Sequence, residues 1–498
     1  MTGCVLAVDL GTGGPKVAIV DAGGATLAWR SSPVDTVFLP GGGAEQDPQQ
    51  MWSAVVTATR QVLAALPTPP TIAAVAVTSQ YMSTVPVAAD GTPTGPCVLW
   101  MDTRGAAHSR SLLNDTSVPL FLGRHGLIPL PSGSDGVAHV HVLREHHPES
   151  WDAAVAFVEP MDYVNARLTG RVCVTQSTAF GQLVCDNRTW GATDYDPELV
   201  AATQLDPDKL APLVPMQGMI GEVTTAAAAA LGIAAGTPVT VGTIDSITSA
   251  VGAGALDPSA GSVIIGTTSV MVTHVLEHRA GMRGGMLAVP SPLPGRWYVM
   301  AENGVGGRAF EWVVRLLGYG HDLATAVDDA TAVLPGADGV QFLPWLLGSI
   351  SPRPDDEVRG AFTGLHLSHD RRHLVGAALE GVALNLAWLL PYLERAVGAS
   401  WPFVRFGGGG AMSDPWAQVL ADALDRPVHQ LDEPRATNAR GAAFLAFVEL
   451  GAIALDDVPS LLRVRRVFDP QPAHRATYDA ALRRLTSLHP TLSELSRP

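Results

Sequence analysis

Val5-Leu6-Ala7-Val8-Asp9-Leu10-Gly11-Thr12-Gly13-Gly14-Pro15-Lys16-Val17-Ala18-Ile19-Val20-Asp21 decides how the rest of this 498-residue chain is read. Two aliphatic, β-branched runs flank a turn of Gly and Thr, with Asp9 closing the first run and Lys16 opening the second. The pattern predicts a β-hairpin whose tip exposes backbone N–H groups, a geometry that holds phosphate. A Walker-type loop needs Gly-Lys-Ser/Thr opening a helix, whereas Lys16 is followed by a strand. A dinucleotide fingerprint also needs a helix after its glycines. Two readings remain: a strand-turn-strand phosphate site with a carboxylate at its edge, or an ordinary hairpin with a Gly turn.

The chain is too long for one core and predicts at least two domains. With 47% hydrophobic and 16% charged residues it has ample material to bury, which excludes a disordered chain. A net charge of -15 argues against nucleic-acid or anionic-membrane partners, because no basic excess exists to neutralise phosphates. Cys4, Cys97, Cys173 and Cys185 show no C-x-x-C spacing, so reduced structural thiols and a cytoplasmic location are expected. The first apolar run lacks a basic leader and is broken by Asp9, unlike a signal peptide. The uncharged stretch 223–244 is punctuated by Gly232, Gly236, Pro238 and Gly242, and reads as an alanine-rich helix followed by a buried strand.

Outward from the hairpin, a third strand is expected near 25–30, then an amphipathic helix over about 50–66, with Asp47 as N-cap and Pro48 at its first position. Residues 71–78 read as a strand buried on both faces, ending at Ser79-Gln80-Tyr81-Met82. Trp100-Met101-Asp102-Thr103-Arg104 offers either a sugar-stacking indole with hydroxyl-binding charges, or a core Trp beside a structural ion pair. His139 and His141 form half a metal site with no third ligand at a typical spacing. A strand over 236–241 leads to Gly242-Thr243-Ile244-Asp245-Ser246, where Asp245 is a candidate base, a helix cap or an interdomain ion-pair partner. Ser262 to Ile265 opens a second meander whose turn is Gly266-Thr267-Thr268-Ser269, the counterpart of the first hairpin. Gly306-Gly307 leads into a helix, and the helix after His373 is apolar nearly all round and must be buried. Phe406-Gly407-Gly408-Gly409-Gly410-Ala411-Met412-Ser413-Asp414 carries a strand through glycines into another helix.

Taken in order, Asp9-x-Gly11-Thr12-x-x-x-Lys16, Glu45-Gln46-Asp47-Pro48 with Trp52, Trp100-x-Asp102-x-Arg104, Gly360-Ala361-Phe362-Thr363-Gly364-Leu365 with His373 to Glu380, and the 406–422 segment resemble the motifs of the FGGY family of carbohydrate kinases. The resemblance covers about residues 4–450 and lies nearest the xylulokinase branch. It implies an α/β, two-domain actin-like ATPase (ribonuclease H-like) fold with a cleft between lobes. The expected division is a sugar-binding and phosphate domain over 1–251 and a nucleotide-binding domain over 252–498.

The activity it implies is phosphoryl transfer from ATP to a sugar or polyol hydroxyl, most simply of a ketopentose such as D-xylulose. Asp245 would be the general base, and Asp9 with Asp245 would hold Mg2+. The nucleotide would meet Gly11, Thr12, Gly13, Gly14, Gly266, Thr267, Thr268, Gly306, Gly307, Gly409, Gly410, Ala411, Ser413 and Asp414. The sugar would meet Gln80, Tyr81, Met82, Trp100, Asp102, Asp245 and Ser246. Tyr81-Met82 stands where xylulose kinases carry Met-His, and Ser246 where an amide is usual, so a glycerol-, erythritol- or ribulose-type substrate stays open. A non-catalytic nucleotide-binding regulator of the same fold also stays open, as does a homodimer.

Overall fold

The computed structural model describes residues 3–279, 282 and 284–497. Its two large sheets repeat one plan. In the first, Cys4–Gly11, Gly14–Val20 and Thr26–Ser31 form an antiparallel meander. Ile72–Ser79 adds parallel to the first strand and Pro238–Thr240 adds parallel to that, while Met219–Glu222 closes the edge antiparallel. In the second sheet Gly261–Ile265, Thr268–Val275 and Trp297–Val305 make the meander, with Met286–Pro290 outside it. Val404–Gly407 and Val428–Leu431 then add in parallel, and Val464–Phe468 closes antiparallel. Each meander therefore opens with a hairpin turning on Gly and Thr, at 11–14 and 266–268.

Local chemistry sets most of these elements. Asp47 caps the Pro48–Ala64 helix by accepting from Gln49 N, and Pro48 occupies its first turn, where no N–H is needed. Gly14 sits at φ +118° with its Cβ position pressed on Ser32 O, so only glycine fits there. The Arg371–Val397 helix is long and apolar enough to span a bilayer, but it lies buried in the second core among Phe342, Trp345 and Leu420. All four cysteines are buried and free.

Packing crosses the chain midpoint twice. The Thr437–Glu449 helix lays Ala439, Ala442, Ala443 and Ala446 on Val5, Ala7, Val20 and Ala76 of the first sheet. It crosses the Asp245–Gly252 helix at backbone contact: a Cβ on Gly441 would lie 1.8 Å from Thr248 O, and one on Gly252 1.9 Å from Thr437 O. Only glycine permits that approach. Conversely Tyr298, Met300, Val272 and Val289 of the second sheet pack into the first core. The expected boundary between 251 and 252 falls in the last turn of the Asp245–Gly252 helix.

Candidate active site

At the first hairpin, Asp9 pairs across the strands with Lys16 and Thr78. Alternation turns it to the face shared by Val5 and Ala7, beneath the Thr437–Glu449 helix. Its Oδ2 lies 3.4 Å from Lys16 Nζ and its Oδ1 3.5 Å from Asn438 Nδ2. The Asp9 carboxylate holds the Lys16 ammonium above its ordinary pKa. Gly11, Thr12 and Gly13 form the open tip. Thr12 is also a hub: its hydroxyl donates to Gln80 Oε1 and accepts from Trp100 Nε1 at 3.1 Å, and its carbonyl accepts from Gln46 Nε2 at 2.6 Å.

The second turn is built differently from the sequence expectation. Gly306, Gly307 and Arg308 donate their amides to Thr267 O, Gly266 O and Thr267 O. They therefore brace the turn, so Gly306 and Gly307, expected near phosphate or ribose, stand behind the Gly266–Thr268 tip with their amides already bonded. Gly266 and Thr267 stand exposed, with Thr268 behind them. The Gly409–Met412 turn adjoins this tip: a Cβ on Gly408 would lie 2.6 Å from Ile265 O, and one on Gly410 2.9 Å from Ile265 Cβ. Gly409 has nothing within 4 Å of its Cβ position, leaving an open backbone shelf, and Ala411 is buried behind it. Ser413 and Asp414 are both engaged within the protein, Ser413 keeping only its hydroxyl proton to offer. The Ser413 hydroxyl caps the Asp414–Leu424 helix by accepting from Trp416 N, and Asp414 is held by Arg465, Arg466 and Gln430.

Of the residues expected to meet the sugar, Gln80 is buried and already bonded to Thr12 and Gln46. Met82 sits at φ +57°, a conformation unfavourable for a non-glycine residue. Glu159 offsets this by accepting from Met82 N at 2.9 Å and Ser83 N at 3.0 Å. The Met82 side chain turns into the first core, so the turn presents Tyr81 instead. Trp100 is more than one-third exposed, with its indole edge on Thr12.

Asp102 is corrected outright. It is fully buried, accepting from Ala44 N, Arg104 N and the Arg104 guanidinium. Arg104 also meets Glu45 at 2.6 Å, and Glu45 meets His147 at 2.8 Å. The structural ion pair is the arrangement observed, with no oxygen left for a hydroxyl.

Asp245 opens the Asp245–Gly252 helix, half-buried, with Ser246 Oγ 3.2 Å from its Oδ1. Burial, then the Asp9 carboxylate, push its pKa up to about 7, against the bonds from Ser246 and the attraction of Lys16. Two groups not singled out in the sequence complete the neighbourhood. Burial, then Tyr81 and Asp245, raise the Tyr298 hydroxyl, and burial, then Asp245, push Glu302 up to about 7. Both belong to the Trp297–Val305 strand, four residues apart and hence on one face. That spacing was the available signal. Groups from both halves of the chain thus surround Asp245.

The chain matches the N-terminal domain of the FGGY family of carbohydrate kinases over residues 4–252, and the C-terminal domain of the same family over 261–450. It belongs to the FGGY family of carbohydrate kinases. This FGGY kinase is similar to the xylulose kinase of Bacillus subtilis (strain 168), at 27% identity over 89% of this chain and 87% of that protein. It is also similar to the gluconokinase of Bacillus licheniformis, at 26% identity over 92% and 90% of the two chains. Among solved structures, the xylulose kinase of Rhodospirillum rubrum superposes with a TM-score of 0.86 at 28% identity over 99% of each chain. The repeated sheets described above are accordingly the two lobes of an actin-like sugar kinase, and ATP is its phosphoryl donor.

Proposed function

We propose that this kinase phosphorylates a hydroxyl of a ketopentose such as D-xylulose, with Asp245 taking the hydroxyl proton. The observation that carries this reading is the Asp245 carboxyl poised near pH 7 beside Asp9, because a general base works best when its pKa lies near the operating pH. Phosphoryl transfer asks little else of a protein than in-line positioning and charge neutralisation. The turns at 11–14 and 266–268, with the shelf at Gly409 and Gly410, are the surfaces proposed for the nucleotide. Tyr81, Trp100, Asp245 and Ser246 are proposed for the sugar. Closure of the two lobes excludes water, which would otherwise compete with the sugar as acceptor.

Mg2+ fits this donor set. Asp9 and Asp245 are hard oxygen ligands; after burial, the Asp9 carboxylate is the cause that raises the Asp245 pKa, and a divalent cation relieves that repulsion. When bound it neutralises charge on the phosphates. Asp9 and Asp245 would hold it, with Lys16 and Asn438 fixing the Asp9 carboxylate.

A second reading, another neutral polyol or ketose of the glycerol, erythritol or ribulose type, is favoured by Tyr81 and Ser246. These two offer hydroxyls, while Met82 stands where xylulose kinases carry an imidazole and Ser246 where an amide is usual. The test is Asp245→Asn: ATP binding by calorimetry stays within about threefold of wild type, while turnover falls on the order of 10²- to 10⁴-fold. A variant with unchanged turnover removes Asp245 from the mechanism.

A further inference from the structure

The Trp297–Val305 strand divides its side chains between the lobes. Trp297, Val299 and Ala301 enter the core of the second lobe, whereas Tyr298 and Met300 enter the core of the first. Period-two alternation continues the latter face to Glu302, one step nearer the strand end that abuts the Gly266–Thr268 turn. Glu302 is anchored through its backbone, its carbonyl accepting from Ser351 N at 3.0 Å and its neighbour Asn303 donating to Ser351 O at 2.9 Å. Its side chain therefore lies on the face of the strand that Tyr298 and Met300 turn to the first lobe, where Tyr81 also packs. The electrostatics agree with that placement. After burial, the Glu302 carboxylate is the foremost cause raising the Tyr81 hydroxyl, and Asp245 is the one charged group acting on Glu302. Among the described residues no lysine or arginine contributes at Glu302, whereas Lys16 acts on Asp245 from the Asp9 side.

The sugar side of the site is thus lined by two carboxylates, Asp245 and Glu302, and hydroxyls from Tyr81, Tyr298 and Ser246. Such a surface accepts and exchanges hydrogen bonds with hydroxyl groups. Once ionised, these carboxylates repel a substrate carrying its own negative charge, because like charges at close quarters in a water-poor site repel strongly. We infer that Glu302 is a specificity-determining residue that restricts this kinase to neutral polyols and ketoses and rejects aldonates. This rests on Asp245 marking the sugar side of the site, and it adds a discrimination made by charge and contributed by the second lobe.

A matched pair of open-chain ligands isolates the charge: D-glucitol and D-gluconate differ by a hydroxymethyl against a carboxylate at one carbon. Dissociation constants for both, by calorimetry without ATP at a pH of about 8.5 where the carboxyls are ionised, are compared in wild type, Glu302→Gln and Glu302→Ala. Wild type binds D-glucitol at least about tenfold more tightly than D-gluconate. Glu302→Gln brings the two within about threefold, chiefly by tightening D-gluconate, and Glu302→Ala does the same. A merely structural role weakens both ligands alike and leaves their ratio where it was, which overturns the inference. So does a wild type that binds D-gluconate as well as D-glucitol, or one that binds neither. A wild type with the expected ratio but no sugar-dependent ADP release instead contradicts the proposed phosphorylation and leaves the charge discrimination standing.

Discussion

Replacing Asp245 by Asn should make the folded protein more stable at alkaline pH while disabling it. The Asp245 carboxyl moves from an ordinary value of 3.8 to about 7 on folding, because burial and the Asp9 carboxylate both oppose its ionisation. A shift of about three units corresponds to about 4 kcal/mol as an upper bound for this partly solvated group. The sign follows from proton counts. Between pH 4 and 7 the folded state keeps a proton that the unfolded chain has released, so the contribution of Asp245 is fully present below about 4. It is lost as pH rises through about 7. Asparagine keeps the shape of the neutral acid and cannot ionise. The melting temperatures of wild type and Asp245→Asn, measured without divalent cations in steps from pH 5 to pH 8.5, should therefore diverge with rising pH in favour of the variant. Added Mg2+ should narrow the gap by stabilising wild type alone. A gap that is constant across that range refutes the claim that Asp245 is held beside Asp9 in a poorly hydrated site.

Three other substitutions and one pH profile test the surrounding architecture. Gly441→Ala should lower the melting temperature although alanine favours a helix by about 1 kcal/mol, because its Cβ would stand 1.8 Å from Thr248 O; an unchanged melting temperature contradicts the backbone contact. Arg104→Met leaves the fully buried Asp102 without its cation and should cost about 3–5 kcal/mol, read as loss of soluble expression or a large fall in melting temperature. Thr12→Val removes the hydroxyl joining Gln80 and Trp100 and should raise KM by severalfold with the fold intact by circular dichroism. The turnover of wild type at saturating substrates should rise with pH to a plateau whose midpoint lies below about 7, because bound Mg2+ relieves the repulsion that raises the Asp245 carboxyl; a rate falling with rising pH contradicts its role as base.

What was legible in the sequence was what neighbours along the chain determine. Gly and Thr between aliphatic runs gave both hairpins, Asp47-Pro48 gave a helix start, and the apolar 371–397 helix had to be internal. The site was legible where chemistry sits on those elements, as with Asp9 at a hairpin and Asp245 after a short strand. It was not legible where a partner arrives from far along the chain. Asp102 reads like a sugar ligand until Arg104 bridges it to Glu45, which His147 holds from its other side. The amides of Gly306 and Gly307 look free until pairing of the Thr268–Val275 and Trp297–Val305 strands brings them onto the Gly266 turn. Asn438 reads as one more residue of a small-residue helix, and reaches Asp9 only because that helix crosses onto the other lobe's sheet. Tyr298 and Glu302 share a face that matters only once the lobes are apposed.

The most direct test of a sugar kinase acting on a ketopentose through this site is ADP release by the wild-type enzyme with ATP and Mg2+, measured in turn with D-xylulose, D-ribulose, glycerol, erythritol and D-gluconate. The account predicts strong stimulation by a neutral ketopentose and little by D-gluconate. ADP release that no sugar stimulates, or that D-gluconate stimulates most, contradicts it.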